Sequence, residues 1–462
     1  MNFNSLSGIE PDVLTLILDI GFDYTKLGFQ KNPVPMYIIE TPLSIKKKIR
    51  DVDEIGITTI ADTMADHQEL RFEIEEFLKE IFLIKAQINA AGSTVVIWEQ
   101  LIFPRVFMQA LSEALFIGFE VSSVYYFLAN ILPLYTTGLD SGIIIDWGFL
   151  HTSISAVWHS VYTFEGANII VQLEQRLKTL LKEDNNEKAD LITFDLVAKV
   201  VPFALKVLTL PQYQKFFNDE ESIEKMKAKK FPLSNLKEEY KELWISYYTM
   251  VSSMEVFFNH DPLSEDINLA WVLWDSLLKI SIVNRIVVVQ NIILSGGIWM
   301  IPGFKSRLIQ EINYVIDQYD KYEELRKLKD LIKFEKWIYP PNCLVWIGAS
   351  LLSCLNEEVN IFKLTSSEFK DEHSGILPDR FGQCFLKCSR KTEIEEADNK
   401  DEDLSIFAKD NESKIPVTKR PLNYFNKEFE DMNKKRKEAT YSAVTPYNVR
   451  GIGRPRRFEF PA

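Results

Sequence analysis

The feature that most restricts how this chain can fold is a short motif that occurs twice. Ile17-Leu18-Asp19-Ile20-Gly21-Phe22, with Thr25 beyond it, returns as Ile144-Ile145-Asp146-Trp147-Gly148-Phe149 with Thr152, the two aspartates lying 127 residues apart. Asp-x-Gly alone is ordinary turn chemistry. Two copies, each closing an apolar run of the kind that forms a buried strand, point to a duplicated strand-turn-strand unit.

The pattern around the two copies is that of an α/β protein. Val13 to Leu18 reads as a strand that turns at Asp19 and resumes from Tyr24 to Phe29. Phe72, Ile74, Phe77, Leu78 and Ile81 have helical spacing, Ser93 to Trp98 reads as a strand, and Phe107 to Phe116 reads as a helix. Such alternation builds mixed layers of strands and helices. Residues 167 to 290 are mainly helical in pattern, with amphipathic stretches at Leu173 to Lys182 and Trp271 to Ile282. Arg285 to Leu294 reads as an apolar strand leading into Ser295-Gly296-Gly297, and Pro302-Gly303 opens a helix from Phe304 to Tyr319. Residues 343 to 355 read as a last buried strand and helix. Beyond about Leu386 an acidic run (Glu393, Glu395, Glu396, Asp398, Asp401, Glu402, Asp403) precedes a polar stretch holding Lys434-Lys435-Arg436-Lys437 and Arg454-Pro455-Arg456-Arg457. Residues 387–462 are therefore expected to form a charged, disordered tail.

Composition narrows the function classes. The 462 residues are 46% hydrophobic, enough for two or three domains, and the formal net charge is −13. A surface built throughout to neutralise nucleic acid or anionic lipid would carry the opposite sign. The first apolar run has no basic flank and stops at Asp19, unlike a secretory signal. No stretch approaches the roughly 20 apolar residues of a membrane span. A soluble, intracellular protein is expected. The four cysteines, at 343, 354, 384 and 388, are too few for a disulfide framework. Cys384 and Cys388 have metal-ligand spacing without the further ligands a tetrahedral site needs, so no metal site is expected. The five histidines are scattered. Lys434 to Lys437 suits a solvated tail, an acidic partner or a nuclear signal.

Glycine-rich turns after buried strands admit phosphates, because backbone N–H groups approach an anion closely where no Cβ intervenes. Asp19-Ile20-Gly21, Asp146-Trp147-Gly148 and Ser295-Gly296-Gly297 are three such turns. Their order and spacing, with Met300 and Pro302-Gly303 after the third, resemble the actin superfamily. Lys26, Tyr135 with Gly138, Val345-Trp346-Ile347-Gly348, Thr365-Ser366-Ser367-Glu368-Phe369 and Asp371-Glu372 with Gly375 match further family motifs. The resemblance runs from about residue 13 to about residue 382. It implies an actin-like fold, two ribonuclease H-like lobes around a nucleotide cleft, with residues 1–140 and part of 343–386 in the first lobe and 141–342 in the second. It also implies a site for ATP or ADP with Mg built from Asp19, Gly21, Lys26, Asp146, Gly148, Ser295, Gly296, Gly297 and Met300.

The departures from the family pattern argue against an enzyme. Phe22 and Asp23 replace a Ser and a Gly at the first hairpin, so a ring and a like charge are expected to face the phosphates. Phe149 and Leu150 replace an Asp and a Gly at the second, which removes an oxygen partner for the cation. Ala129 falls where the family places the Gln that orients the attacking water. Val197 and Ala198 replace a Lys and a Glu that contact the nucleotide. Hydrolysis is not expected, whereas weak or static nucleotide binding is. Phe119 to Val124, Leu139 to Asp146, and Ser367 through Asp379 are similar to divergent actin-related proteins at the pointed end of dynactin. Only 65 residues separate Phe29 from Val95, too few for a full small subdomain with the loop that inserts into the next protomer. Tyr135, Leu352 and Leu355 match the cleft that receives such a loop. The resemblance thus implies a non-catalytic, cytoplasmic cytoskeletal subunit that caps the pointed end of an actin-related filament in a dynactin-like complex serving dynein. Its partners would be filament subunits and other dynactin pointed-end subunits. A nuclear subunit of a chromatin-remodelling complex is the alternative, and an active polymerising ATPase is disfavoured by Ala129, Phe149 and Leu150.

Overall fold

Two β-sheets, each started by one copy of the repeated motif, organise the molecule. A computed structural model describes residues 14–46, 64–99, 105–148, 152–158, 161–167, 169–234, 236, 238–258, 268–372 and 375–377, all within one compact unit. The first sheet contains β1 (Thr15–Ile20), β2 (Tyr24–Phe29), β3 (Tyr37–Glu40), β4 (Thr94–Glu99), β5 (Ser123–Leu128) and β12 (Lys363–Thr365), in the order β12-β5-β4-β1-β2-β3. The second contains β6 (Ser141–Trp147), β7 (Thr152–Trp158), β8 (Val161–Ala167) and β11 (Ile292–Gly296), in the order β11-β6-β7-β8. In each, the motif strand runs antiparallel to its hairpin partner on one side and parallel to a later strand on the other. The duplication read in the sequence is therefore a duplication of topology, and the architecture is the actin-like α/β fold.

Central strands of such sheets are covered on both faces, which explains why β1 and β6 are nearly continuous apolar runs instead of alternating ones. The first sheet carries a core of Leu16, Leu18, Ile74, Leu78, Phe107 and Leu111, contributed in part by helices Met64–Lys79 and Arg105–Glu113. Ile143, Ile145, Leu177, Leu196 and Leu308 belong to the larger core of the second. In that core Arg307 is fully buried, donating to Glu311 Oε1 at 2.5 Å and Glu255 Oε2 at 2.9 Å. That pairing fixes the Phe304–Gln318 helix against its surroundings.

The chain passes between the sheets twice, and the two passages touch. The first is a 3-10 turn Ala129–Ile131 followed by the short helix Leu132–Tyr135, which join β5 to β6. The second is the Leu344–Leu352 helix, which leads back towards β12. A Cβ added at Gly348 would lie 2.0 Å from the Leu132 carbonyl oxygen. Trp346, on the same helix, donates its indole N–H to the Ile17 carbonyl at 3.2 Å.

Two segments differ from the sequence reading. The stretch 343–355 contains no strand: after a turn at Pro341–Cys343 it is helical throughout, because a short apolar run suits a fully buried helix as well as a strand. Arg285 to Leu294 is likewise not one strand, since helix Ile282–Val289 precedes β11. Its β-branched residues give a helix with one buried face, Arg285, Val288 and Val289, and with Ile282 and Val283 exposed. Packing of that single face outweighs local strand preference. The expected tail, with Cys384 and Cys388, lies outside the described residues.

Gly348→Ala should destabilise the protein by on the order of 3 kcal/mol, because the added methyl meets backbone instead of a flexible side chain. Denaturant titration checks this, and an unchanged midpoint would mean that the passages move apart freely.

Candidate nucleotide and cation site

The hydrogen-bond register of β1 and β2 places Lys26 directly opposite Asp19. Paired residues of antiparallel strands project from the same face, so the two side chains meet, with Lys26 Nζ donating to Asp19 Oδ2 at 2.5 Å. Burial opposes the charge on Lys26, but the carboxylate beside it holds the amine above its ordinary value, with smaller help from the Cys343 thiol and Asp146. Gly21 makes the tight turn between these strands, where a Cβ would meet the Tyr24 carbonyl oxygen at 2.7 Å.

On the second sheet the parallel register of β11 and β6 sets Ser295 against Asp146 and Gly296 against Trp147. Gly296 has φ +107°, and a Cβ there would lie 2.0 Å from the Trp147 carbonyl oxygen, so no other residue fits. A Cβ at Gly297 would meet nothing within 4 Å, which leaves its backbone approachable. Gly148 follows β6 and is half-buried, and Met300 closes the turn after the glycines with 59% of its surface exposed.

The two hairpins converge. Burial pushes the Asp146 carboxyl up to about 6, the Ser295 hydroxyl pulls it down, the Asp19 charge raises it and Lys26 lowers it. Asp19, Lys26 and Asp146 thus form one electrostatic unit with two acids and one base. The Cys343 thiol also belongs to it, raised by burial, drawn down by Lys26 and raised by Asp19. Sequence reasoning missed Cys343, although its place two residues before the Val345-Trp346-Ile347-Gly348 motif was a usable signal. This donor set suits a cation accompanied by an anion. A hard cation would relieve the surplus carboxylate, and Lys26 with the backbone around Gly296 and Gly297 would face phosphate oxygens.

Several expected obstructions are absent. Phe22 does not face the cleft, because its ring is packed in the first lobe's core and is 6% exposed. Asp23 carries an ion pair to Lys46 at 3.3 Å, which offsets its charge. Trp147 occupies the second hairpin with its ring turned inwards, edge-on to Phe257, Phe304 and Trp299 at centroid distances of 4.6, 5.1 and 5.7 Å. Ala129 is fully buried at the end of β5, and Val197 is buried in the second core. The neighbouring Asn130 donates to Ser155 Oγ at 2.7 Å and Ser153 Oγ at 3.1 Å, so its amide is committed to β7. Phe149 and Leu150, and the side chain of Ala198, lie outside what is described.

The second group of expected residues is not one exposed surface. Tyr135 is half-buried, and burial raises its phenol to about 12. Leu355 is half-buried, but Leu352 is only 3% exposed. Leu352 is thus part of the interior, as its helical spacing permitted. Any contact at this cleft falls to Tyr135 and Leu355.

The raised Asp146 value makes a pH prediction. Between the ordinary carboxyl value near 4 and about 6, the folded chain holds a proton that the unfolded chain has released, so stability falls as pH rises through that window. Asp146→Asn should abolish this slope and stabilise the ligand-free protein above pH 6 by on the order of 2 kcal/mol. Denaturant titrations from pH 4 to 7 test it, and a variant less stable at pH 7 would contradict the assignment.

Comparison with known proteins agrees with the geometry. Residues 10–168 match the family model described as Actin. Actin-related protein 10 of Dictyostelium discoideum is 23% identical over 403 residues, covering 75% of this chain and 84% of that protein. The first match spans both Asp-x-Gly hairpins, and over these stretches the chain is similar to actins and to an actin-related protein.

Proposed function

We propose that this protein is a non-catalytic structural subunit that caps the pointed end of a short actin-related filament in a dynactin-like complex. In that role it supports dynein-driven transport along microtubules in the cytoplasm, with filament subunits and other pointed-end subunits as partners. Likeness to Actin-related protein 10 supports the branch. The observation that carries the non-catalytic part is Ala129, a buried methyl group where the family places a water-orienting amide. The amide nitrogen of the neighbouring Asn130 is engaged by Ser153 and Ser155. A methyl group can neither position nor polarise a nucleophile, so bound ATP would persist.

The unit of Asp19, Lys26 and Asp146 with Ser295-Gly296-Gly297 would hold ATP or ADP with Mg as a fixed component. The magnesium ion would offset the surplus carboxylate, and Lys26 would face the phosphates. The reading predicts nucleotide retention with no magnesium-dependent turnover above the background of the Asp146→Asn variant. Turnover comparable to that of actin, lost in the variant, would overturn it.

The capping role is tested at the cleft. Leu355→Asp should keep the fold and weaken association with the filament end by at least about tenfold, because a charge enters an apolar contact. Leu352→Asp should unfold the protein instead, since that side chain is interior. Unchanged association of a folded Leu355→Asp protein would refute the pointed-end assignment.

A further inference from the structure

Away from the nucleotide site, cations and aromatic rings gather on a module comprising helix Glu220–Ala228, β9 (Lys230–Pro232), β10 (Trp244–Ser246) and helix Tyr247–Ser252. The module has its own small apolar cluster of Leu208, Met226 and Val251, flanked by half-buried Tyr213, Phe216, Phe217, Tyr247 and Tyr248. Lys206 and Lys229 both lie over the Tyr247 ring, at 5.8 and 5.7 Å from its centre. Lys229 also lies 5.4 Å from the Phe231 ring, and Lys227 lies 5.3 Å from that of Tyr248.

The lysines of this region divide into two sets. Lys225 pairs with Glu221 at 2.7 Å, Lys227 with Glu224 at 3.5 Å, and Lys241 with Glu238. Among the described residues, Lys206, Lys229 and Lys230 have no carboxylate within ion-pair distance, and all three are exposed. Lys230 donates to the Asp184 backbone carbonyl at 3.0 Å, which holds its ammonium in place without neutralising it. In a chain of net charge −13, two uncompensated cations over the Tyr247 ring, with Lys230 next to one of them in sequence, are a local reversal of sign.

We propose that this surface docks an acidic peptide segment of a partner protein, with carboxylates on Lys206, Lys229 and Lys230 and an apolar side chain against Phe231 and Tyr248. The surroundings select the class of ligand. Asp219, Glu220 and Glu221 on one side, and Glu238 and Glu242 on the other, limit the positive field in sequence and would repel a long polyanion or an anionic membrane. A short segment can place its charges on the lysines alone. Cation–aromatic contacts hold the ammonium groups near the surface and reduce the freedom lost on binding. The proposal does not rest on the filament reading.

Fluorescence anisotropy of the full chain with a short labelled peptide of Glu and Asp around a central Leu tests the proposal. Binding should weaken with salt, and Lys206→Glu/Lys229→Glu/Lys230→Glu should reduce affinity by at least roughly tenfold. Lys206→Gln/Lys229→Gln should reduce it less, and Lys225→Glu should leave it unchanged, with circular dichroism confirming the fold of each. Equal affinity of the triple variant would overturn the proposal. So would tighter binding of a single-stranded oligonucleotide or of phosphatidylserine vesicles. A tenfold gain in peptide affinity after neutralising Glu393, Glu395, Glu396 and Asp398 would assign the surface to this chain's own acidic run instead.

Discussion

The contact between Gly348 and the Leu132 carbonyl determines how the rest of the molecule is arranged. Two sheets with separate cores, joined by two chain passages, can rotate about them unless the passages are themselves packed. Here the absence of one side chain brings backbone against backbone. The Trp346 indole bond to Ile17 ties the same helix to the strand that carries Asp19. The position of the first Asp-x-Gly hairpin is therefore referred to the passage between the sheets, and through it to Asp146 on the second sheet.

That arrangement brings like charges together at a cost. Asp19 and Asp146 share one lysine in a site where burial disfavours every charge. Lys26 is satisfied by Asp19 at 2.5 Å, while burial dominates at Asp146 and holds its carboxyl up at about 6. The resulting electrostatic preference is for a cationic ligand. Asp19, Lys26, Asp146 and Ser295 carry that preference, and the buried methyl group of Ala129 has no part in it.

Much of this was legible in the sequence, for physical reasons that can be stated residue by residue. The repeated Asp-x-Gly motif was visible because a tight turn closing a buried strand constrains several consecutive residues at once. The glycines of Ser295-Gly296-Gly297 were visible because φ +107° at Gly296 excludes other residues. What escaped was orientation. Phe22 looked like an obstacle because its position in the motif says nothing about the side to which its ring turns, and burial in the core decided the matter. Leu352 looked like a surface residue for the same reason. The helix Ile282–Val289 was hidden by β-branched residues whose strand preference is weaker than the packing of three buried neighbours.

Trp147 carries a consequence for how such a sequence can diverge. Its ring is a structural part of the second core, while its backbone carbonyl faces Gly296 in the Ser295-Gly296-Gly297 turn. A smaller residue at 147 would leave a void between Phe257, Trp299 and Phe304, and a larger ring at any of those three would push the hairpin towards the opposite lobe. Substitutions at these four positions are energetically coupled and should arise in compensating sets, so the aromatic content of the interior and the geometry of the cleft are inherited together.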